Sequence, residues 1–261
     1  MSDNPLVSII MNCHNGEKYL RESLNSIVNQ TYKNWELIFF DNLSTDKSKK
    51  ILEEFNDSRM KYFKSNKFVN LYAARNLAVE KCSGDFISFL DTDDVWIKNK
   101  IEQQIKFYDK DNSYNLIFSN CYIYDEEKKT EKLHIKKKLP NGKITQELLN
   151  NYKIGLLTIL VKRDLFRDHH FNPNYNIIGD YDFVLKLSLN TKFACIDEPL
   201  ARYRRHNKNF SKIHFSSYIS EIKNWIKENK KFYSEKGYSL LGQQILLKKL
   251  QIKSFFNFSK F

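Results

Sequence analysis

The sequence predicts a mixed α/β domain, an open sheet flanked by helices, with a helical appendage at the C-terminus. Three observations predict it. Short apolar runs alternate with longer segments of helical period through the first half, the pattern of β-α-β units on a parallel sheet. The 261 residues, 41% of them hydrophobic, suffice for a large domain with a real core. From Phe215 onward, apolar residues fall at helical spacing, with Tyr218, Ile222, Trp225 and Ile226 on one stripe.

Taken in order, Leu6 to Met11 reads as the first buried strand. Beyond the polar turn Asn12-Cys13-His14-Asn15-Gly16, Leu20, Leu24, Ile27 and Val28 mark a helix that Asn15 is positioned to cap. Leu37 to Phe40 is the second strand; it runs into a loop whose Ser44 or Asp46 can cap a helix over 47–55. Met60 to Phe63 is a third strand, a helix follows over 71–81, and Phe86 to Leu90 is a strand too apolar to be exposed on either face. Ile101, Ile105 and Tyr108 then mark a helix. Leu116 to Tyr124 alternates like a strand, and Asp125 to Lys138 is a charged hairpin or loop. Ile154 to Val161 reads as a buried strand, Gly179 to Asn190 as a helix, and Phe193 to Ile196 and Ala201 to Tyr203 as short strands. Two amphipathic helices complete the chain.

Composition excludes several classes. The longest apolar run, Ile154 to Val161, is interrupted by Gly155 and Thr158 and falls far short of the roughly 20 residues of a membrane span. The opening MSDNPLVSII lacks the features of a secretory signal, so a cytoplasmic location is expected. Cys13, Cys82, Cys121 and Cys195 show no metal-ligand spacing and read as buried thiols. The net charge is +12, but Met1 to Glu198 is nearly neutral; Pro199 to Phe261 holds 14 Lys/Arg against 3 acids. That excess is either a solvated lysine-rich surface or a face turned toward phosphates.

Carboxylates gather where open α/β sheets bind ligands, at strand C-terminal ends. Asp91, Asp93 and Asp94 crowd a tight loop after a buried strand, and repel one another unless a cation is bound or one of them caps the following helix. Hard oxygen ligands suit Mg or Mn, with water or phosphate filling the remaining positions. Asp41, ending the second strand, either caps a turn or accepts a hydrogen bond from a ligand. Asp180 and Asp182 begin a helix whose dipole favours their ionised form; one is a candidate general base, and both fit equally as N-terminal helix acids.

The order of these motifs resembles the family 2 glycosyltransferases with a GT-A fold. The matching segments are VSIIMNCHNGEKYLRESLNSIVNQTYKNWELIFFDNLSTDKS (Val7 to Ser48), LYAARNLAVEKCSGDFISFLDTDDVW (Leu71 to Trp96), IIGDYDFVLKLSL (Ile177 to Leu189) and PLARYRRHNKNFS (Pro199 to Ser211). The resemblance implies a GT-A domain over 1–212, with a nucleotide-sugar-binding half at 1–96 and an acceptor half at 97–212, followed by a basic amphipathic tail at 213–261. It places the family's base-binding acidic pair on Asp41 and Asn42, where Asn42 departs from the usual Asp and offers donors as well as an acceptor. Asn12, His14 and Asn15 are expected along the nucleotide, and Arg75 and Asn76 at the donor. The DXD motif falls on Asp91, Thr92 and Asp93, extended by Asp94, with Asp93 favoured for direct metal contact. His206 matches a position near the donor phosphates and metal. The family's Glu-Asp pair falls on Gly179 and Asp180, which makes Asp180 the expected base and Asp182 the reserve.

The activity implied is an inverting, Mn- or Mg-dependent transfer of a sugar from a nucleoside diphosphate sugar, UDP favoured, to a glycan or lipid-linked acceptor in surface polysaccharide synthesis. A sugar-nucleotide nucleotidyltransferase would bring a Gly-rich phosphate loop, and Asn12 to Gly16 holds one glycine. A nucleic-acid binder would leave the acids without purpose, so no nucleic acid is expected. The tail sets Leu240, Leu241, Ile245, Leu247, Leu250, Phe255, Phe256 and Phe258 among Lys248, Lys249, Lys253 and Lys260. It either packs on the domain or on a second subunit, or lies peripherally on an anionic inner membrane surface.

Overall fold

The computed structural model describes residues 4–137 and 140–258, so the expectations for Lys138 and Lys260 lie outside the described residues. The first half alternates as its periodicity requires: β1 (Val7–Cys13), α1 (Glu17–Val28), β2 (Trp35–Asp41), α2 (Ser48–Glu53), β3 (Met60–Lys64), α3 (Leu71–Val79) and β4 (Phe86–Phe89). The second half adds β5 (Val95–Trp96), α4 (Lys100–Lys110), β6 (Leu116–Asp125), β7 (Thr130–Leu133), α5 (Thr145–Asn150) and β8 (Ile159–Lys162). It closes with α6 (Gly179–Ser188), β9 (Phe193–Arg205), α7 (Phe210–Ile213), α8 (Phe215–Glu235) and α9 (Leu241–Phe258).

Among the described residues these strands form one nine-stranded sheet in the order β3-β2-β1-β4-β8-β6-β9-β5, with β7 paired to β6. The first four strands are parallel neighbours, and β8 runs antiparallel to both β4 and β6. Strand period sorts the apolar residues to two faces. Ile10, Ile38 and Phe40 face a core with Tyr72 of α3, Leu148 of α5, Phe183 of α6 and Trp225 of α8. Ile9, Met11 and Leu37 face the other, with Leu20 and Leu24 of α1 and Ile101 of α4. Fully burying each such side chain contributes about 1.5–3 kcal/mol, which explains why α8 belongs to the same core as the strands.

Two buried strands carry polar residues that pair with each other. Ser8 Oγ donates to Glu36 Oε1 at 2.6 Å, and Lys61 Nζ and the Ser83 N–H and hydroxyl donate to the same carboxylate. Glu36 thereby joins β1, β2, β3 and the turn into β4. Beside it a Cβ on Gly84 would lie 2.6 Å from the Leu6 carbonyl oxygen, so only glycine lets this turn close on β1.

Three local expectations are corrected. Asn15 takes a left-handed backbone, φ 56, and does not cap α1. The helix starts cap one another instead: Glu17 N–H donates to Asp46 Oδ2 and Lys47 N–H to Glu17 Oε2, each at 2.9 Å. The Ile154 to Val161 run is buried but not one strand, because Thr158 donates its hydroxyl back to the Gly155 carbonyl at 2.6 Å and turns Leu156–Thr158 into a 3-10 helix before β8. The two short strands near 193–203 are one strand, β9, whose register on β6 shifts beside Ser119 and Asn120. The expected hairpin after Asp125 forms as β6 and β7, and the four cysteines are buried free thiols. Among the described residues no helix is long and apolar enough to cross a membrane.

Candidate active site

Strands β1, β2 and β4 end at one sheet edge, and the order β2-β1-β4 reverses the direction of travel between β1 and β4, where α/β sheets open a crevice. The Asp91–Asp94 loop lies there. Asp91 pairs with Arg75 of α3 at 2.9 Å; the guanidinium is buried while the carboxylate is 44% exposed. Asp93 Oδ2 lies 2.9 Å from His206 Nε2. Burial raises the Asp93 pKa, repulsion from Asp91 adds to it, and His206 opposes both.

Asp94 is set apart from its neighbours. It is buried, its Oδ1 accepts the Arg204 N–H at 2.9 Å, and Arg204 Nε donates to the Asp93 carbonyl at 2.9 Å. Burial and the nearby carboxylates raise the Asp94 pKa well above the usual range. The end of β9 therefore clasps this loop from behind. Asp94, expected as a metal ligand, thus has one oxygen engaged in holding the loop; Asp91 and Asp94 line the crevice, and Asp93 meets His206 beside it.

Among the described residues no group of three or more His, Cys, Asp or Glu side chains is placed to hold a metal ion. The donor set still fits a hard divalent cation held by one or two carboxylates and completed by diphosphate oxygens, the ordinary arrangement for Mg. Like-charged acids crowded beside a half-open crevice are the observation that favours this fit.

Across the crevice α6 begins with Gly179 and Asp180. The Tyr72 hydroxyl lies 2.7 Å from the Ile177 carbonyl oxygen and 3.1 Å from Asp180 Oδ1, donating between them. Burial raises the Asp180 pKa, with the Arg75 charge and the Tyr72 bond opposing. A carboxylate so raised is suited to taking a proton. Asp182, the expected reserve, is occupied: its oxygens accept Trp225 Nε1 at 2.9 Å and Lys186 Nζ at 2.7 Å, fastening α8 to α6. Asp91, Asp94, Arg75 and Asp180 line one cavity of about 290 Å³, so the two acidic motifs, far apart in sequence, face a common space.

The nucleotide-side residues divide. Asn12 has both side-chain polar atoms buried without a partner, a cost of about 1–3 kcal/mol that a ligand can relieve. His14 Nδ1 lies 2.9 Å from the Asn42 carbonyl oxygen, and its ring meets Phe68 edge-on. Asn15 holds the Thr45 N–H. Asp41 is buried and accepts the Ser44 N–H at 2.7 Å and the Tyr62 hydroxyl at 2.6 Å. Asn42 exchanges two hydrogen bonds with the Val69 backbone, and Asn76 does the same with Phe171. Asp41, Asn42 and Asn76 thus shape loops around the expected donor position with side chains already paired. Thr92 packs on Gly16, where a Cβ would come within 2.9 Å of its Oγ1, and so draws the first loop onto the aspartate loop.

The sequence model of glycosyl transferase family 2 matches residues 8–169. The chain belongs to glycosyl transferase family 2. It is 37% identical over 188 residues, 72% of this chain and 70% of the relative, to the UDP-Glc:alpha-D-GlcNAc-diphosphoundecaprenol beta-1,3-glucosyltransferase WfgD of Escherichia coli. It is 31% identical over 226 residues, 85% of this chain and 76% of the relative, to the uncharacterized glycosyltransferase MJ1057 of Methanocaldococcus jannaschii. Among solved structures, S. aureus TarS 1-349 in complex with UDP-GlcNAc superposes with a TM-score of 0.68 at 19% identity, over 84% of this chain and 66% of that one. The mannosyltransferase PcManGT of Pyrobaculum calidifontis, in complex with GDP-Man and Mn2+, gives 0.65 at 13% identity over 88% and 65%. The chain spans about two thirds of those structures' chains, and at such identities they establish the shared fold.

Three side chains of this glycosyltransferase's site are not visible as such in the sequence. Tyr72 sits among apolar neighbours in α3 and reads as core. Arg204 lies in the quoted run before His206, but its role depends on β9 pairing beside the loop. Glu221 of α8 accepts the N–H groups of Asn176, Ile177 and Ile178 at 2.8–3.1 Å and orients the approach to Asp180. Only its position one turn before Trp225 offered a signal.

Proposed function

We propose that this glycosyltransferase moves a sugar from a nucleoside diphosphate sugar, UDP favoured, to a hydroxyl of a glycan or lipid-linked glycan acceptor, by a single inverting displacement in surface polysaccharide synthesis. The observation that carries the reading is the shared cavity: a partly buried, proton-accepting Asp180 faces the same space as the Arg75-held Asp91 of the aspartate loop. Asp180 takes the acceptor hydroxyl's proton as its oxygen attacks the anomeric carbon. Tyr72 orients that carboxylate, and Arg75 keeps Asp91 in place. Asp93 and His206, with Asp91 beside them, would hold Mn or Mg. Bound there, the cation supplies positive charge that stabilises the departing diphosphate.

The relatives lend support. The E. coli relative's name gives a UDP-sugar donor and a diphosphate-linked lipid acceptor, and the Pyrobaculum structure holds Mn2+ with its nucleotide sugar. A lipid-linked acceptor would bring the enzyme from the cytoplasm to the inner membrane face. The testing experiment is a panel of UDP-, GDP- and dTDP-sugars with Mn or Mg, scored by nucleotide release with and without acceptor. Metal-dependent release from one donor class is expected; release from none overturns the reading.

A further inference from the structure

Helix α9 does not simply cover the domain. Its start is anchored: a Cβ on Gly242 would fall 2.5 Å from Asn150 Cα, and Gln243 Nε2 donates to the Leu149 carbonyl at 2.6 Å. Only glycine permits so close an approach to α5, and the contact fixes which way the helix faces.

Gly242, Ile245, Leu246, Lys249, Leu250 and Lys253 fall at i, i+3, i+4, i+7, i+8 and i+11, one face of a helix. That face looks into two cavities. One, of about 660 Å³, has Asp180 in its wall and receives Ile245, Leu246 and Lys249 from α9. The other, of about 550 Å³, meets it at Ser211 and Tyr218, includes His206, and receives Leu250 and Lys253. In the second cavity Lys128, Arg205, Lys212 and Lys253 outnumber Asp125 and Glu127.

A molecule presenting a hydroxyl to Asp180 therefore has Lys249 in the wall of the same cavity and Lys253, with Lys128, Arg205 and Lys212, in the wall of the adjoining one. Next to that face, Ile252, Phe255 and Phe256 are 58%, 72% and 62% exposed. Anion binding beside the base, continued by an apolar ridge, is complementary to a sugar joined through a diphosphate to a hydrocarbon chain.

We infer that α9 is the acceptor-reading element: Lys249 and Lys253 bind the diphosphate of a lipid-linked acceptor while its hydrocarbon chain runs along Ile252 and Phe256. The inference rests on the transfer reading above. Its test uses the full chain with Mn and a saturating concentration of whichever of UDP, GDP or dTDP binds, so that the donor site is blocked. Farnesyl diphosphate, farnesol and inorganic pyrophosphate are then titrated into the native protein and into Lys249→Gln/Lys253→Gln. Both lysines are exposed, so the variant keeps the fold. The expected result is farnesyl diphosphate binding at least tenfold weaker in the variant, with farnesol and nucleotide affinities unchanged. Equal affinity for farnesyl diphosphate in both proteins overturns the inference. So does pyrophosphate binding as tightly as farnesyl diphosphate, which would mark a free-phosphate site, or farnesol binding as tightly, which would mark a site blind to phosphate. Failure to bind any of the three nucleotides instead removes the transfer reading itself.

Discussion

The ring of Tyr72 fills the space that a side chain at position 179 would need: a Cβ on Gly179 would lie 2.6 Å from its Cγ and Cδ2. Gly179 is therefore matched to a tyrosine of α3, three helices earlier in the chain. The close packing brings the Tyr72 hydroxyl to Asp180. Tyr72 is buried and its ring stacks on Phe171 at 5.9 Å, so it has no room to retreat.

Gly179→Ala should accordingly cost about 1–3 kcal/mol of stability, the usual penalty for overpacking. It should also lower kcat by displacing Asp180. Thermal unfolding and kinetics read the two effects. An alanine variant with native melting and native turnover would remove the argument.

Asp180→Asn should leave nucleotide affinity unchanged and reduce transfer by about 10²–10⁴, the usual contribution of a general base. Because burial raises the Asp180 pKa, kcat/KM should fall with decreasing pH through a limb above the ordinary carboxylate value of about 4. The Tyr72 bond stabilises the ionised form, so Tyr72→Phe should move that limb to higher pH. A limb that stays in place would show the tyrosine to be structural only.

Asp93→Ala or chelation should weaken nucleoside diphosphate binding, and the substitution should cost about 10²–10³ in rate if charge stabilisation of the leaving group behaves as elsewhere. Calorimetry in Mn and in EDTA separates the two. Equal affinity in both would exclude a cation from this step.

Glu36 predicts an acid limit to stability. Burial alone would raise its pKa, but bonds from Lys61, Ser8 and Ser83 outweigh it and bring it down from 4.5 to about 2. A carboxylate lowered on folding stabilises above its ordinary value, and the contribution is lost as pH falls through the folded value. With Lys61 half-exposed, the contribution is about 2 kcal/mol. Denaturation between pH 5 and about pH 2 should therefore be shallower in Glu36→Gln, which is also less stable at pH 7.

The exposed Phe255 and Phe256 predict binding to anionic vesicles at low salt, strengthened by about 1 kcal/mol for each nearby lysine. Co-sedimentation should drop in Phe255→Glu/Phe256→Glu and at high salt. Unchanged sedimentation in that variant would return the helix to a purely packing role.

How much was legible follows from which interactions are local. Short apolar runs marked β1, β2 and β4, because burial on both sheet faces demands them, as in Leu37 to Phe40 within β2. The same signal misplaced the 154–161 segment, since apolarity reports burial but not whether Thr158 will fold back on Gly155. Asn15 failed as a cap for a related reason: capping partners came from the start of α2, 30 residues away.

By itself the sequence determined the order of motifs, the strand ends that carry Asp41 and Asp91, and the charge held in its last quarter, because each depends on spacing along one chain. Tertiary structure alone decided which acids remain free to act. Asp91, Asp94, Asp180 and Asp182 are the same side chain in the sequence. Arg75, the Arg204 N–H, Tyr72 and Trp225 make them different, and those partners arrive from α3, β9 and α8 only when the sheet and its helices close around the crevice.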